Sequence, residues 1–570
     1  MKAPLEQIPE HLQEYITEQD PSLYTPIDHA VWRYVMRVSK HFFEKHGHPL
    51  YLQGLEKTGI SSDRIPLVSE MDSALRKLGW RAVVINGFIP PAIFLEFQSL
   101  RILAIACDIR KLENLGYTPS PDIIHEAAGH VPIVADPEYR AYLEDYGEVA
   151  RNAVITKFDL ELYDAIFRLS EIKENPQAKP EDIARAQAEF ESVARRETIP
   201  SEAALLTRMA WWTTEYGLLE AGGKPLIYGA GLLSSIQESY HCLDPEVRKV
   251  PFTLEAAIHT SYDITRPQPQ LFVAKSFSEL RSALHRFADT MAFRRGGAHG
   301  LEIARQAANT VTLAFENGVQ VSGVVQDYLL GEDTEPCAFT LTGMKQVAFE
   351  GKEIEALHPQ SLSDEWFIPL FSHAILKAGP EDLKRKLHGS GLPTRSGLRV
   401  LGHFKKELAF GSSTRIWLLE HVRILDTAGN VVFAEARKTV PLLLTSTIRS
   451  VFGGAADRKA FLLRNRRPMS KVKSHKTNQT PGNADLCDLY ARVRYFRDAF
   501  SRDARILDRT HTELARIAPE DWLLRLELLE LYQRIEPEGL SAARVRNELS
   551  SLKEKSTEWK EMIERGISCL

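Results

Sequence analysis

At 570 residues the chain is too long for one ordinary core, and two to four domains are expected. Hydrophobic residues make up 44 % and charged residues 26 %, an ordinary balance for a soluble globular protein. A net charge of −5 gives no electrostatic case for nucleic acid, and no apolar run is long enough to suggest a membrane span.

Cys107, Cys242, Cys337, Cys487 and Cys569 are scattered with no close pair, which argues against a disulfide framework and a cysteine-rich metal site. The start, from Met1 to Glu6, has no apolar stretch of signal-peptide length, so a cytoplasmic chain is expected.

Residues 1–24 are polar, punctuated by Pro9 and Pro21, and read as a short lead-in. Thr25-Pro26 is a capped start, and His29 to Met36 reads as an amphipathic helix. Met71 to Trp80 reads as another. Arg81 to Ile89 is an apolar strand closed by glycine. Pro90-Pro91 then opens a helix predicted to run from Ala92 to Arg110.

The stretch from Tyr117 to Pro132 carries the chemistry. It holds His125 and His130, a carboxylate (Glu126) beside the first histidine, and a proline run on the approach. Histidines four apart on a helix lie roughly 40° from each other, as in zinc proteases; five apart, they lie roughly 140° apart. His125 and His130 therefore converge on one metal only if the helix ends or distorts between them. Gly129 ends helices readily and Pro132 cannot continue one, so the expectation is a helix broken there. The best third ligand is Glu215, in Ala210 to Gly217. Two histidines and one carboxylate leave open positions, the arrangement of non-haem iron(II) oxygenases. A structural zinc site would more often be closed by cysteines.

Beyond His130, residues from Glu138 to about Arg196 look helical, broken at Asn175-Pro176 and Lys179-Pro180. Helix resumes near Pro200 and carries Trp211, Trp212 and Glu215. Gly222 to Pro225 is a turn, Tyr228 to Ser235 is a glycine-punctuated turn into a helix, and Phe277 to Phe293 is a last helix. From about 308 to 450 β-branched residues alternate with polar ones, with hairpin signals at Phe315 to Val321 and Val422 to Phe433. Arg464 to Asn483 reads as a flexible linker, and Leu486 to about Lys560 as a charged helical module.

Residues 24–293 resemble the aromatic amino acid hydroxylases, the pterin-dependent iron monooxygenases, and most closely their phenylalanine-specific branch. The resemblance rests on an ordered set: His29 to Arg33, Gly87 with Phe94-Leu95 and Arg101, Tyr117-Thr118-Pro119 with His125 and His130, Trp211 with Glu215, and Tyr228 through Ser235. It implies that His125, His130 and Glu215 bind Fe(II), with Asp122 orienting His125. It implies that Arg110 holds the amino acid's carboxylate through a bidentate guanidinium, with Thr118 and Ser234 at the amino-acid backbone. Pro121, Trp211 and Gly231 would wall the ring pocket, and Ile264, also on the substrate side, is apolar where tyrosine-specific relatives have an acid, which favours phenylalanine. Phe94 would stack on the tetrahydropterin, with Gly87, Ile89 and Leu95 beside it and Glu126 as the catalytic acid near the pterin.

The implied activity is hydroxylation of an aromatic amino acid by dioxygen, first L-phenylalanine to L-tyrosine. Two alternatives stay open: tryptophan or an amino-substituted phenylalanine as substrate, and a non-catalytic scaffold that senses an amino acid. Three departures stand out. Ala104 and Pro91 replace polar residues near the expected pterin, and Tyr216 adds a hydroxyl where an apolar aromatic is expected. Residues 150–198 look like an inserted helical hairpin. The expected organisation is a mostly α-helical iron monooxygenase domain at 1–300 and a β-rich accessory domain at 301–463. A linker at 464–484 and a helical module at 485–570 would follow. Oligomeric state is left open.

Overall fold

The computed structural model describes residues 8–85, 89, 91–116, 118, 121–174, 178–196, 199–264, 266–357, 365–411, 414–464, 484–536 and 539–570. Gly87, Tyr117 and Pro119, and nearly all of the predicted linker, lie outside the described residues.

The helix Pro26–His46 is the longest of the N-terminal region, residues 8–300. Thr25 and Asp28 close its first turn as a reciprocal capping box, and Pro26 sits where a missing N–H costs nothing. Ile27, Val31, Trp32, Val35 and Met36 are buried, and so are Asp28, His29, Arg33 and Ser39. A helix buried on both its apolar and its polar face needs neighbours all round. Part of that surround comes from the far end of the chain. Helices Ala484–Asp498, Trp522–Ile535 and Thr557–Ser568 pack onto it, and Leu489, Trp522, Leu526 and Ile563 share one apolar core with Trp32 and Ile124.

The polar face meets its complement there too. The Arg33 guanidinium donates from Nε and Nη2 to the Glu527 carboxylate at 2.8 and 2.6 Å. Arg497 donates to Glu530 at 2.8 Å and to Glu527 at 3.2 Å, and Arg37 pairs with Glu530. Burial alone would raise the Glu527 pKa, but Arg33 and Arg497 hold it down to about 2.

A small sheet joins Ile16–Thr17, Arg81–Ile85 and Ile102–Ala106, the last two parallel with Arg81 opposite Ile102 and Ile85 opposite Ala106. The helix predicted to reach Arg110 therefore stops at Ser99. Arg101 turns the chain at φ 60°, and the buried Ile-Leu-Ala-Ile-Ala run becomes a strand. Ile89, Phe97 and Ala104 pack there with Ile8 and Leu12 of the lead-in, so residues before Tyr24 are part of the fold. A second sheet of four strands lies near the Glu215 segment. The helices Lys157–Glu174 and Pro180–Ala194 form a hairpin joined by Arg168–Glu189 at 2.7 Å.

The β-rich region has two antiparallel sheets sharing one core that includes Leu313, Val321, Phe339, Ile416 and Trp417. It meets the catalytic region closely. A Cβ on Gly453 would fall 2.3 Å from the Ala153 carbonyl, and Asn309 Nδ2 donates to the Ile155 carbonyl at 3.0 Å. Among the described residues no helix is long and apolar enough to cross a membrane.

Candidate active site

His125 and His130 meet because the helix between them widens. Residues His125–His130 form a π-helix, with the Val131 N–H donating to the Glu126 carbonyl five residues back. In i→i+5 pairing each turn takes more residues, so the residue five along comes round closer to the first, which reduces the divergence of an α-helix. The expected break at Gly129 is thus a widening. Gly129 is needed for another reason: a Cβ there would lie 2.7 Å from the Ala230 carbonyl, where the helix Ala230–Ser234 packs.

Glu215 arrives from a second π-helix, Trp211–Glu215, whose widening is seen in the Tyr216 N–H bond to the Trp211 carbonyl at 2.8 Å. The local cause is legible. Thr213 and Thr214 hydroxyls donate to the Met209 and Ala210 carbonyls at 2.6 and 2.9 Å, competing with the α-helical ladder.

The three side chains converge. His130 Nε2 lies 3.2 Å from His125 Nε2 and 3.2 Å from Glu215 Oε1, and His125 Nε2 lies 3.5 Å from Glu215 Oε2. Among the described residues this is the group of His, Cys, Asp and Glu side chains placed to hold a metal ion. Two imidazole nitrogens and a carboxylate facing one point suit a divalent cation. Without one, the electrostatics split the pair: burial lowers the His125 pKa to about 4, whereas the Glu215 carboxylate outweighs burial and lifts His130 to about 9. Glu215 is pulled down to about 2 against burial, by His130 first.

Ser234 fixes the ring of His125. Its hydroxyl donates to the Ala230 carbonyl at 2.8 Å, so its oxygen accepts from His125 Nδ1 at 2.9 Å. That leaves Nε2 as the lone-pair nitrogen facing the site. The hydroxyl expected at the amino-acid backbone is therefore occupied. Asp122, expected to orient His125, reaches its backbone N–H at 2.9 Å, and the imidazole is held by Ser234 instead.

Arg110 and Asp122 form a buried fork, Nε to Oδ2 at 2.8 Å and Nη2 to Oδ1 at 2.9 Å, while Arg110 Nη1 donates to the Ser234 carbonyl at 2.9 Å. Burial raises the Asp122 carboxyl, but Arg110 outweighs it and the pKa falls below the usual range. The guanidinium's side-on face thus belongs to Asp122, and Nη1 reaches the Ser234 carbonyl.

Trp211 is sandwiched, stacked on Tyr216 at 4.5 Å and on Tyr262 at 4.2 Å between centroids. Its indole N–H donates to Gln268 Oε1 at 3.4 Å, and Gln268 Nε2 donates to the Asp263 and Arg266 carbonyls on either side of Ile264. Sequence reasoning missed Tyr262 and Gln268; an aromatic two residues before Ile264 was the available signal. Gly231 is buried, and a Cβ there would lie 3.1 Å from the Glu215 backbone carbonyl. Thr118 is half-buried and Pro121 exposed. Glu126 is buried beside His125, and burial, with Glu215 and Asp122 adding and His130 opposing, raises its carboxyl to about 8. Ile89 and Phe94 lie in the satellite cluster around Ala104, and Leu95 packs against the main core.

A profile of the biopterin-dependent aromatic amino acid hydroxylases matches residues 10–157 and 197–295, passing over the helical hairpin. The chain is 30 % identical over 263 residues to a phenylalanine-4-hydroxylase of Mesorhizobium japonicum, covering 46 % of this chain and 79 % of that one. It is 28 % identical to the Chromobacterium violaceum phenylalanine-4-hydroxylase over 47 % of this chain and 77 % of that one. A crystal structure of the Chromobacterium enzyme with iron(III) and 7,8-dihydrobiopterin aligns at 26 % identity and a TM-score of 0.38, over 48 % of this chain and 85 % of that one. The chain belongs to the biopterin-dependent aromatic amino acid hydroxylases.

Proposed function

We propose that this protein is an iron(II)- and tetrahydropterin-dependent monooxygenase that hydroxylates L-phenylalanine to L-tyrosine. The observation that carries the reading is the His125–His130–Glu215 triad, built by two π-helices and tuned by Ser234. The relatives that match half of the chain bear the phenylalanine-4-hydroxylase name.

His125, His130 and Glu215 would hold the iron, and bound iron and pterin supply the activation of dioxygen. The chain's own work is placement. Arg110, held by Asp122 and the Ser234 carbonyl, is assigned to the amino acid's carboxylate, with Thr118 nearby in sequence. Trp211, Pro121, Gly231 and Ile264 wall the ring, and the Tyr216–Trp211–Tyr262 stack with Gln268 keeps Trp211 from turning. Ile89, Phe94, Leu95 and Glu126, with Gly87, are assigned to the pterin. The buried His130, Glu126 and Gly231 close one side of the site to water. The free thiols of all five cysteines accord with a cytoplasmic setting.

The test is product analysis by mass spectrometry. Iron(II)-loaded protein with tetrahydropterin, oxygen and a panel of aromatic amino acids should give tyrosine from phenylalanine, and Glu215→Ala should not. Product from tryptophan or 4-aminophenylalanine alone would move the substrate and keep the chemistry. An iron-loaded, folded protein that makes no product would overturn the enzyme reading in favour of a sensing scaffold.

A further inference from the structure

The β-rich region returns to the catalytic one through the helix Arg458–Arg464. Its first residue, Arg458, donates from Nη1 to Glu96 Oε2 at 2.9 Å and from Nη2 to the Arg151 carbonyl at 2.6 Å and the Gly453 carbonyl at 3.3 Å. Glu96 lies in the helix Pro91–Ser99, and its side chain is 7 % exposed. Its other oxygen, Oε1, is 3.1 Å from His11 Nε2 in the lead-in helix Glu10–Gln13. Lys459 beside it makes only an exposed pair, with Glu10 at 2.9 Å.

Glu96 is thus held at both oxygens, from the lead-in on one side and the β-rich region on the other. Phe94 and Leu95 immediately precede it on the same helix. The apolar contacts of this helix, through Phe97 and Ile93, are non-directional and tolerate small slides. A guanidinium spanning a carboxylate and two backbone carbonyls does not, because its donors are fixed in one plane. Ala104, on the neighbouring strand, offers a methyl group and no hydrogen bond.

We propose that Arg458 is a positioning residue for the tetrahydropterin site, fixing the helix Pro91–Ser99 through Glu96 so that Phe94 and Leu95 are held in register with the cofactor. The inference rests on the assignment of the pterin to that helix in the proposed function. It gives the β-rich region a specific part in the reaction: it sets the geometry of one reactant and leaves the other alone.

The experiment uses the full-length, iron-loaded protein, with 7,8-dihydrobiopterin as the calorimetric probe and separate KM values for tetrahydropterin and phenylalanine. Arg458→Ala and Glu96→Gln should each weaken dihydrobiopterin binding about tenfold or more, the scale of a helix displaced by a fraction of an ångström to an ångström. The KM for phenylalanine should stay within about twofold, since the amino-acid side does not touch this contact. Arg458→Lys keeps the charge and loses the fork, and should fall between. Lys459→Ala removes an exposed pair and should bind like wild type.

Unchanged dihydrobiopterin affinity in folded variants overturns the inference. So does a parallel loss of pterin affinity, phenylalanine KM and iron content, which would mean that Arg458 only holds the fold. Where Arg458→Ala does not fold, Arg458→Lys decides by the same criteria. A wild-type protein that holds iron and binds no dihydrobiopterin overturns the cofactor reading and this inference with it; intact wild-type binding with unaffected variants overturns the inference alone.

Discussion

Replacing Ser234 with alanine isolates the role of one hydroxyl. In the structure it accepts from His125 Nδ1 at 2.9 Å and donates to the Ala230 carbonyl at 2.8 Å, in a site where Ser234 is 3 % exposed. Alanine removes both bonds and leaves the His125 Nδ1–H without its acceptor. An unmet buried donor costs about 1–3 kcal/mol, and loss of a partner that orients a metal-bound histidine typically weakens metal affinity by about 10–100-fold. That range corresponds to about 1.4–2.7 kcal/mol, so the two figures agree. The assay is anaerobic iron(II) binding in competition with a chromogenic chelator, with thermal unfolding of the metal-free protein beside it. Ser234→Ala should weaken iron about 10–100-fold, and Ser234→Thr, which keeps a hydroxyl, should recover much of the loss. Wild-type iron affinity in a folded Ser234→Ala protein would refute the argument that this hydroxyl sets the His125 tautomer.

Gly129→Ala would drive a methyl group to 2.7 Å from the Ala230 carbonyl; loss of about 1–3 kcal/mol and of iron stoichiometry should show in calorimetry and metal analysis. Glu527→Ala would leave Arg33 and Arg497 buried with their shared counter-charge gone, at about 3–5 kcal/mol, read by denaturant unfolding. The same carboxylate gives a pH dependence. Its pKa in the folded chain, about 2, lies below the free value near ~4.3, so its contribution is complete above that value and fades as pH falls toward 2. Acid titration should therefore release the C-terminal helices in wild type, and hydrogen exchange across residues 484–570 would report it. A chain ending at Arg464 should fail to fold cooperatively, because it uncovers the helix Pro26–His46; a wild-type melting temperature and full iron loading in that truncation would disprove this.

The catalytic region was legible where side-chain chemistry and spacing do the specifying. Thr25-Pro26 announces its helix through its cap, and the ring of ligands follows from histidines five apart and one carboxylate. The manner of their meeting was not legible. A π-helix differs from a broken α-helix by where one N–H donates, and the cue lay in Thr213 and Thr214 competing for carbonyls and in the space Gly129 must leave. The strand Ile102–Ala106 was read as helix because a short run of buried apolar residues has no period to tell the two apart. The helix Trp522–Ile535 read only as part of a charged helical module; its Glu527 is the buried partner of Arg497 and of Arg33, the latter 494 residues away, and no local pattern encodes such a pairing.

That separation has a bearing on how the protein is made. Arg33 leaves the ribosome 494 residues ahead of Glu527, an interval of about 25–100 s at ordinary rates of synthesis. Throughout it, the helix Pro26–His46 waits with Arg33 and Tyr34 uncovered, since Glu527 and Met562 are still to come. The iron site is carried on elements packed around that helix. The cover over those elements therefore comes late in synthesis, and a stalled chain presents an open core beside His125, His130 and Glu215, which are already made.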